Sequence, residues 1–230
     1  IVKFNFRGTK KFRMNLNHIL FNNFYVNIFL KIDILTIFYL IQIKGTKMKN
    51  IIGWCLILVL SSCVGFAQNL TLSSKDLKGQ LTNKQVYNGF GCKGENISPH
   101  LSWTGVPQGT KSFAVTVFDA DAPTGSGWWH WLVFNIDSKT TSLVTNAGNL
   151  NNKLLPKNAI QSKTDFGSAA FGGSCPPKVG KIHQYTFTVY ALDIKELGLN
   201  KDANPALVGF MINQHTIQKA SIVSYNTKKQ

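Results

Sequence analysis

The stretch from Phe118 to Asn135, FDADAPTGSGWWHWLVFN, constrains the fold more tightly than any other part of the chain. It continues the alternating run Ser112–Phe118, where Phe113, Val115 and Val117 fall on one face of an extended segment. Pro123 has no N–H to give a ladder, so it ends the first strand. Gly125 and Gly127 provide a turn, and Trp128-Trp-His-Trp-Leu-Val-Phe134 begins a second strand. The expected product is a hairpin-like pair. Asp119 and Asp121 are two apart and point the same way if the strand persists, which would place two acids, His130 and a cluster of indoles at the junction. A concave, aromatic-walled site with a few convergent polar groups is the usual form of a small-ligand pocket. The same residues also have a plainer reading: tryptophans at a strand start serve the core, and Asp-Ala-Asp before Pro serves a turn.

A second run carries comparable information. Thr164-Asp-Phe-Gly167 is followed by Phe171-Gly-Gly-Ser-Cys-Pro-Pro-Lys-Val-Gly-Lys-Ile-His-Gln-Tyr185. Paired glycines and paired prolines predict an irregular but stiff loop, and the free N–H groups of such loops can form anion-binding nests. His183 and Tyr185 then open a strand, Gln184–Leu192. Its period of two sets Tyr185, Phe187 and Val189 on one face, with Thr186, Thr188 and Tyr190 on the other, and places the His183 imidazole beside the Tyr185 hydroxyl. Taken alone, this is an ordinary strand start with a buried, satisfied histidine. Elsewhere, Asn69–Gln80 and Val86–Phe90 read as short strands and loops. Asp137–Asn158 reads as a long polar loop with a short strand near Ser142–Val144. Asn204 as N-cap and Pro205 at the first helical position predict a helix through Ile212 to Ala220, followed by a last strand, Ser221–Asn226. Many short strands with one or two helices indicate a mainly β domain.

The N-terminal part differs in character. Ile19–Ile43 is apolar in patches but is broken by Asn22, Asn23, Asn27, Lys31 and Asp33, unlike the roughly 20 apolar residues of a spanning helix. From Met48, a basic start, the apolar run Ile51–Leu60 and then small residues form a secretory signal peptide. Residues 48–67 are therefore expected to be removed between Ala67 and Gln68, with 1–47 as upstream sequence read through in frame and 68–230 as the exported domain. Leu60-Ser-Ser-Cys63 supports a competing route, a lipoprotein anchored at Cys63. The exported part keeps sixteen lysines, no arginine and nine acidic residues, for a net charge of +7. The lysines are scattered, which argues for a solvated surface and against nucleic acid as partner. Cys92 and Cys175 either pair after export or stand as free thiols lining a core or pocket; spacing does not decide.

Taken together, Asp119-Ala-Asp-Ala-Pro…Trp-Trp-His-Trp131 and Gly172-Gly-Ser-Cys-Pro-Pro…His-Gln-Tyr185 resemble the phosphatidylethanolamine-binding protein (PEBP) family, most closely its bacterial Raf-kinase-inhibitor-like branch. Asn96-Ile-Ser-Pro…Leu-Ser-Trp103 and Thr164–Gly167 match that branch as well, so the resemblance covers nearly all of residues 68–230. It implies a PEBP-like fold: a central antiparallel sheet packed on a smaller sheet, with peripheral helices. It also implies a small anion-binding cavity at the sheet edge, carried here by Asp119, Asp121, Pro123, Trp128, His130, Cys175, Pro176, His183 and Tyr185. Gln184 departs from the pattern, since the family usually has Arg at that place.

The implied function is that of an exported, non-enzymatic binding protein for a phosphate-like or phospholipid-headgroup anion such as phosphoethanolamine, needing no cofactor and no metal. The alternatives are an inhibitor or regulator of a protein partner, protease or kinase, and a hydrolase with Cys175 as nucleophile. The chemistry of an anion site can be argued separately. Phosphate needs donors, which His130, His183, Tyr185 and loop N–H groups supply. One of the two aspartates then accepts an N–H from a histidine, while the other ties down the loop.

Overall fold

The computed structural model describes residues 69–228. The expected upstream segment, the expected signal peptide with cleavage after Ala67 and the alternative anchor at Cys63 all fall outside the described residues. Among the described residues ten strands form in chain order: β1 (Thr71–Ser73), β2 (Asn88–Gly89), β3 (Cys92–Lys93), β4 (Leu101–Thr104), β5 (Ser112–Asp119), β6 (Trp128–Asp137), β7 (Ser142–Leu143), β8 (Ile160–Gln161), β9 (Ile182–Leu192) and β10 (Thr216–Thr227). A helix, α1 (Pro205–Gln214), lies between β9 and β10. Among the described residues the other helical pieces are single 3-10 turns at Asn83–Gln85 and Leu150–Asn152.

The central sheet has five strands in the order β10-β9-β5-β6-β8, all paired antiparallel. A three-stranded sheet, β1-β4-β7, packs on one face of it, and β2 and β3 form a separate ribbon. The alternation of β5 dictates this layering. Phe113, Val115 and Val117 enter the core between the sheets with Leu101, Trp103 and Leu143. Ala114, on the opposite face, joins Leu132, Phe134, Val208 and Ile212 under α1. A sheet covered on both faces needs apolar residues at nearly every position, which explains the unbroken Trp131–Phe134 run in β6.

β6 contains two β-bulges. Phe113 pairs with Ile136 and Val115 with Val133, so one extra residue is accommodated around Asn135, whose φ is +58°. The bulge changes parity: Val133 and Ile136 both reach the inter-sheet core although they are three apart. The second irregularity lies between Val117↔Trp131 and Phe118↔Trp129, where the extra residue is His130.

The C-terminal boundary differs from the expectation of a helix reaching Ala220. Asn204 caps α1 through its side chain, accepting from the Ala206 N–H, but the helix ends at Gln214, and β10 begins at Thr216. The His215 N–H and the Thr216 hydroxyl both donate to the Ile212 carbonyl and close the last turn. From Thr216 onward exposure alternates residue by residue, and pairing with the full length of β9 overrides the helical tendency of Gln218–Ala220.

Candidate functional site

The site is assembled where β5, β6 and β9 end together. Asp119, the last residue of β5, is opposite Trp128 on one side and Tyr185 on the other. Beyond it the chain leaves the sheet through Ala120–Gly127 and returns as β6. Gly127 makes this re-entry possible: its φ is +73°, and a Cβ there would strike the Phe118 ring and the Asp119 carbonyl. The bulge at His130 then turns that side chain to the same side as Trp128, while Trp131 goes into the inter-sheet core. Trp129 faces the other way, against Phe118 at 4.5 Å between ring centroids and against Gly209 of α1.

These elements enclose a cavity of about 320 Å³. Of the nine residues singled out from sequence, Asp119, Pro123, Trp128, His130, Cys175, Pro176, His183 and Tyr185 all line it. Asp121 does not. The strand has ended by then, so the expected same-face pair of carboxylates does not form. The Asp121 N–H donates to Asp119 Oδ1 at 2.8 Å, and Asp121 Oδ2 accepts the Gln184 N–H at 2.8 Å. Lys181 Nζ donates to the Asp121 carbonyl as well. Asp121 thus ties the β5–β6 turn to the start of β9.

Asp119 takes the other role. Its Oδ2 accepts from His183 Nδ1 at 2.8 Å, with both side chains buried. Nε2 of His183 is itself buried and has no hydrogen-bond partner. His130 is oriented by the main chain instead: Nδ1–H donates to the Gly172 carbonyl at 2.7 Å, and the Gly172 N–H donates back to the His130 carbonyl. A carbonyl only accepts, so the hydrogen is on Nδ1 and Nε2 keeps its lone pair. Burial depresses the His130 pKa, against the opposing pull of the Gly172 carbonyl and the Asp119 charge, and the ring is neutral at pH 7. Burial, then the nearby Asp119 carboxylate, holds the Tyr185 phenol far above its ordinary range and keeps it a neutral hydroxyl. The His130 ring stands edge-on to Tyr185, at 5.1 Å and 82°.

The walls include residues that the strand-and-turn analysis did not single out. Phe166 lies edge-on to Trp128 and His130, and Phe90 stacks on Phe166 at 5.8 Å and 15°. Phe166 is presented by the Thr164–Gly167 run. Asp165 grips β6 there, accepting the Trp129 N–H at 2.7 Å through Oδ2 and donating its own N–H to the Trp129 carbonyl. Thr124, Pro177 and Lys228 complete the rim. The motif Asp-Phe-Gly was visible in the sequence, but only its contact with β6 makes the phenylalanine part of the site.

Cys175 forms a disulfide with Cys92, with the Cα atoms 6.0 Å apart. This settles the choice between paired and free thiols, and it removes Cys175 as a nucleophile, because a disulfide sulfur is no thiolate. The bond fixes the β2–β3 ribbon, with Phe90 near its tip, to the loop carrying Pro176. Asn96 holds the same loop by bridging the Phe171 carbonyl and the Gly173 N–H, at 3.1 and 2.7 Å. Ser174 is fixed by Asn226 at 2.7 Å. Among the described residues, no three His, Cys, Asp or Glu side chains converge with the spacing of a metal site.

A family model described as "Phosphatidylethanolamine-binding protein" matches residues 73–226. The UPF0098 protein YbcL of Escherichia coli K12 is 47% identical over 173 residues, covering 72% of this chain and 94% of YbcL. The UPF0098 protein YbhB of the same organism is 46% identical over 157 residues, covering 67% of this chain and 98% of YbhB. The crystal structure of Escherichia coli YbcL, described as a new member of the mammalian PEBP family, superposes with a TM-score of 0.69 at 48% identity, over 70% of this chain and 99% of that one. A homologue from Chlamydia trachomatis superposes with a TM-score of 0.58 at 26% identity, over 70% of this chain and 99% of that one.

Proposed function

Starting from the fact that this chain belongs to the phosphatidylethanolamine-binding protein family, we propose that it binds a small phosphate-like anion, of the phosphoethanolamine type, in the cavity between Asp119, His130, His183 and Tyr185, after export and without transforming it. The observation that carries this is the buried, unpartnered Nε2 of His183 in a cavity whose other free ring nitrogen is Nε2 of His130. An orphaned buried polar atom is costly unless a ligand completes it.

His130 enters this binding as an acceptor in its neutral form. A hydrogen phosphate therefore brings the proton for one ring nitrogen, or the ring takes a proton from water. His183 is held through Nδ1 by the Asp119 carboxylate, which leaves its Nε2 for the ligand. The Tyr185 hydroxyl adds a neutral donor, and Trp128 and Phe166 exclude water, which strengthens each polar contact. With Cys175 in a disulfide, the cavity offers no thiol nucleophile.

Calorimetry with phosphoethanolamine and with inorganic phosphate tests this in the wild type and in His130→Ala. Saturable binding that weakens in the variant supports the assignment; identical weak heats for both proteins overturn it.

A further inference from the structure

A second cavity, of about 620 Å³, opens beside the short edge strand β8, away from the site described above. Its volume falls within the range of small-molecule sites. Leu150, Leu154, Leu155 and Ile160 give it an apolar wall, and Lys153, Lys163 and Lys201 bring three amines to it against one acid, Asp202. Two of the lysines are made neighbours by the backbone, where the Lys163 N–H donates to the Lys201 carbonyl at 2.8 Å. Among the described residues the ion pairs are His183–Asp119 and His215–Asp193, so none of these lysines has a carboxylate partner.

The floor carries an independent sign. Gln161 lines the cavity and is 7% exposed. The Trp131 indole N–H donates to its side chain, and because that N–H only donates, the atom it meets is Oε1. The amide nitrogen is left over, and among the described residues it makes no hydrogen bond. An N–H₂ group open to the cavity, three ammonium groups without a carboxylate partner and an aliphatic wall are together complementary to an anionic oxygen attached to a hydrocarbon chain.

We infer that this cavity is a second ligand site, independent of the first, which takes a medium-chain carboxylate, its head between Lys163, Lys201 and the Gln161 amide and its tail along Leu154, Leu155 and Ile160. Lysine serves this role by extending its own apolar stem along the tail while its ammonium meets the carboxylate.

Titration of the full chain with decanoate, decanol and decyltrimethylammonium, each kept below its micelle concentration, tests the assignment. Saturable binding of decanoate alone is expected, with a shift of the Trp131 indole N–H resonance. Lys163→Gln/Lys201→Gln replaces exposed side chains and leaves the core untouched; it should weaken decanoate about tenfold or more. His130→Ala should leave decanoate affinity unchanged, which separates this site from the phosphate cavity. Decanol binding as tightly as decanoate, an unaltered affinity in the lysine variant, or competition between decanoate and inorganic phosphate would each overturn the inference.

Discussion

Oδ2 of Asp119 and Nδ1 of His183 stand 2.8 Å apart, joining the last residue of β5 to the second residue of β9 at the mouth of the central sheet. Three strands end at this point, and the buried carboxylate bridges two of the segments: Oδ1 holds the turn leaving β5 through Asp121, and Oδ2 holds the imidazole of β9.

Asp119→Asn keeps an oxygen for the His183 Nδ1–H but turns a charge-assisted hydrogen bond into a weaker neutral one. The variant should fold, lose about 1 kcal/mol of stability, and bind phosphate about tenfold more weakly because the His183 ring is held less firmly. Asp119→Ala also leaves a buried N–H unpaired and should lose about 2 kcal/mol or more. Calorimetry paired with denaturant unfolding reads both. Wild-type affinity in the Asn variant across the pH range would remove Asp119 from ligand binding.

His130 is held neutral in the folded chain, whereas an unfolded chain protonates it near its ordinary value of 6.5. Below that value the unfolded state binds the extra proton. The contribution to stability is therefore complete above pH 6.5 and is lost as pH falls toward the depressed folded value. Urea midpoints measured from about pH 7.5 down to about pH 5 should decline, and His130→Asn should flatten the decline. Equal slopes in both proteins would show that other groups set the acid limb.

Tyr185 behaves in the opposite sense. Its folded pKa lies above the ordinary 10.0, so the folded state keeps a proton that the unfolded state gives up. Stability is full below pH 10 and falls as pH rises beyond it. Ultraviolet phenolate absorbance should show one tyrosine ionising only with unfolding, and Tyr185→Phe should abolish that step and extend the alkaline range.

Cys92 and Cys175 close a loop across a sequence separation of 83. Loop-closure entropy for a length of this order corresponds to roughly 4 kcal/mol, or roughly 10 °C in Tm for a domain of this size. Cys92→Ser/Cys175→Ser should show that loss together with weaker phosphate binding, because Phe90 and Pro176 lose their common anchor. A variant with lowered Tm but unchanged affinity would confine the disulfide to stability.

Much of this was readable in the chain, and the failures share a cause. Period-two patterning located β5 and β9 and put His183 and Tyr185 on one face, because the two strands pair in unbroken register. The same rule misplaced Asp121, since it assumed that the strand continued past Asp119. It also gave no sign that Asn135 and His130 sit at bulges, where alternation is broken by backbone pairing with β5. Phe90 and Phe166 belong to the site through contacts spanning dozens of residues, and no local pattern reports those. The boundary between α1 and β10 depended on how far β9 extends, again a non-local quantity.

The partner that orients His130 is the main-chain carbonyl of Gly172, which no side-chain replacement can delete. The imidazole's tautomer is therefore inherited from the path of the loop rather than from any one neighbouring side chain. A restriction does fall on residue 172 itself, where any Cβ would collide with the Phe166 ring. Drift at this single glycine would push the aromatic wall and the histidine's hydrogen out of place together.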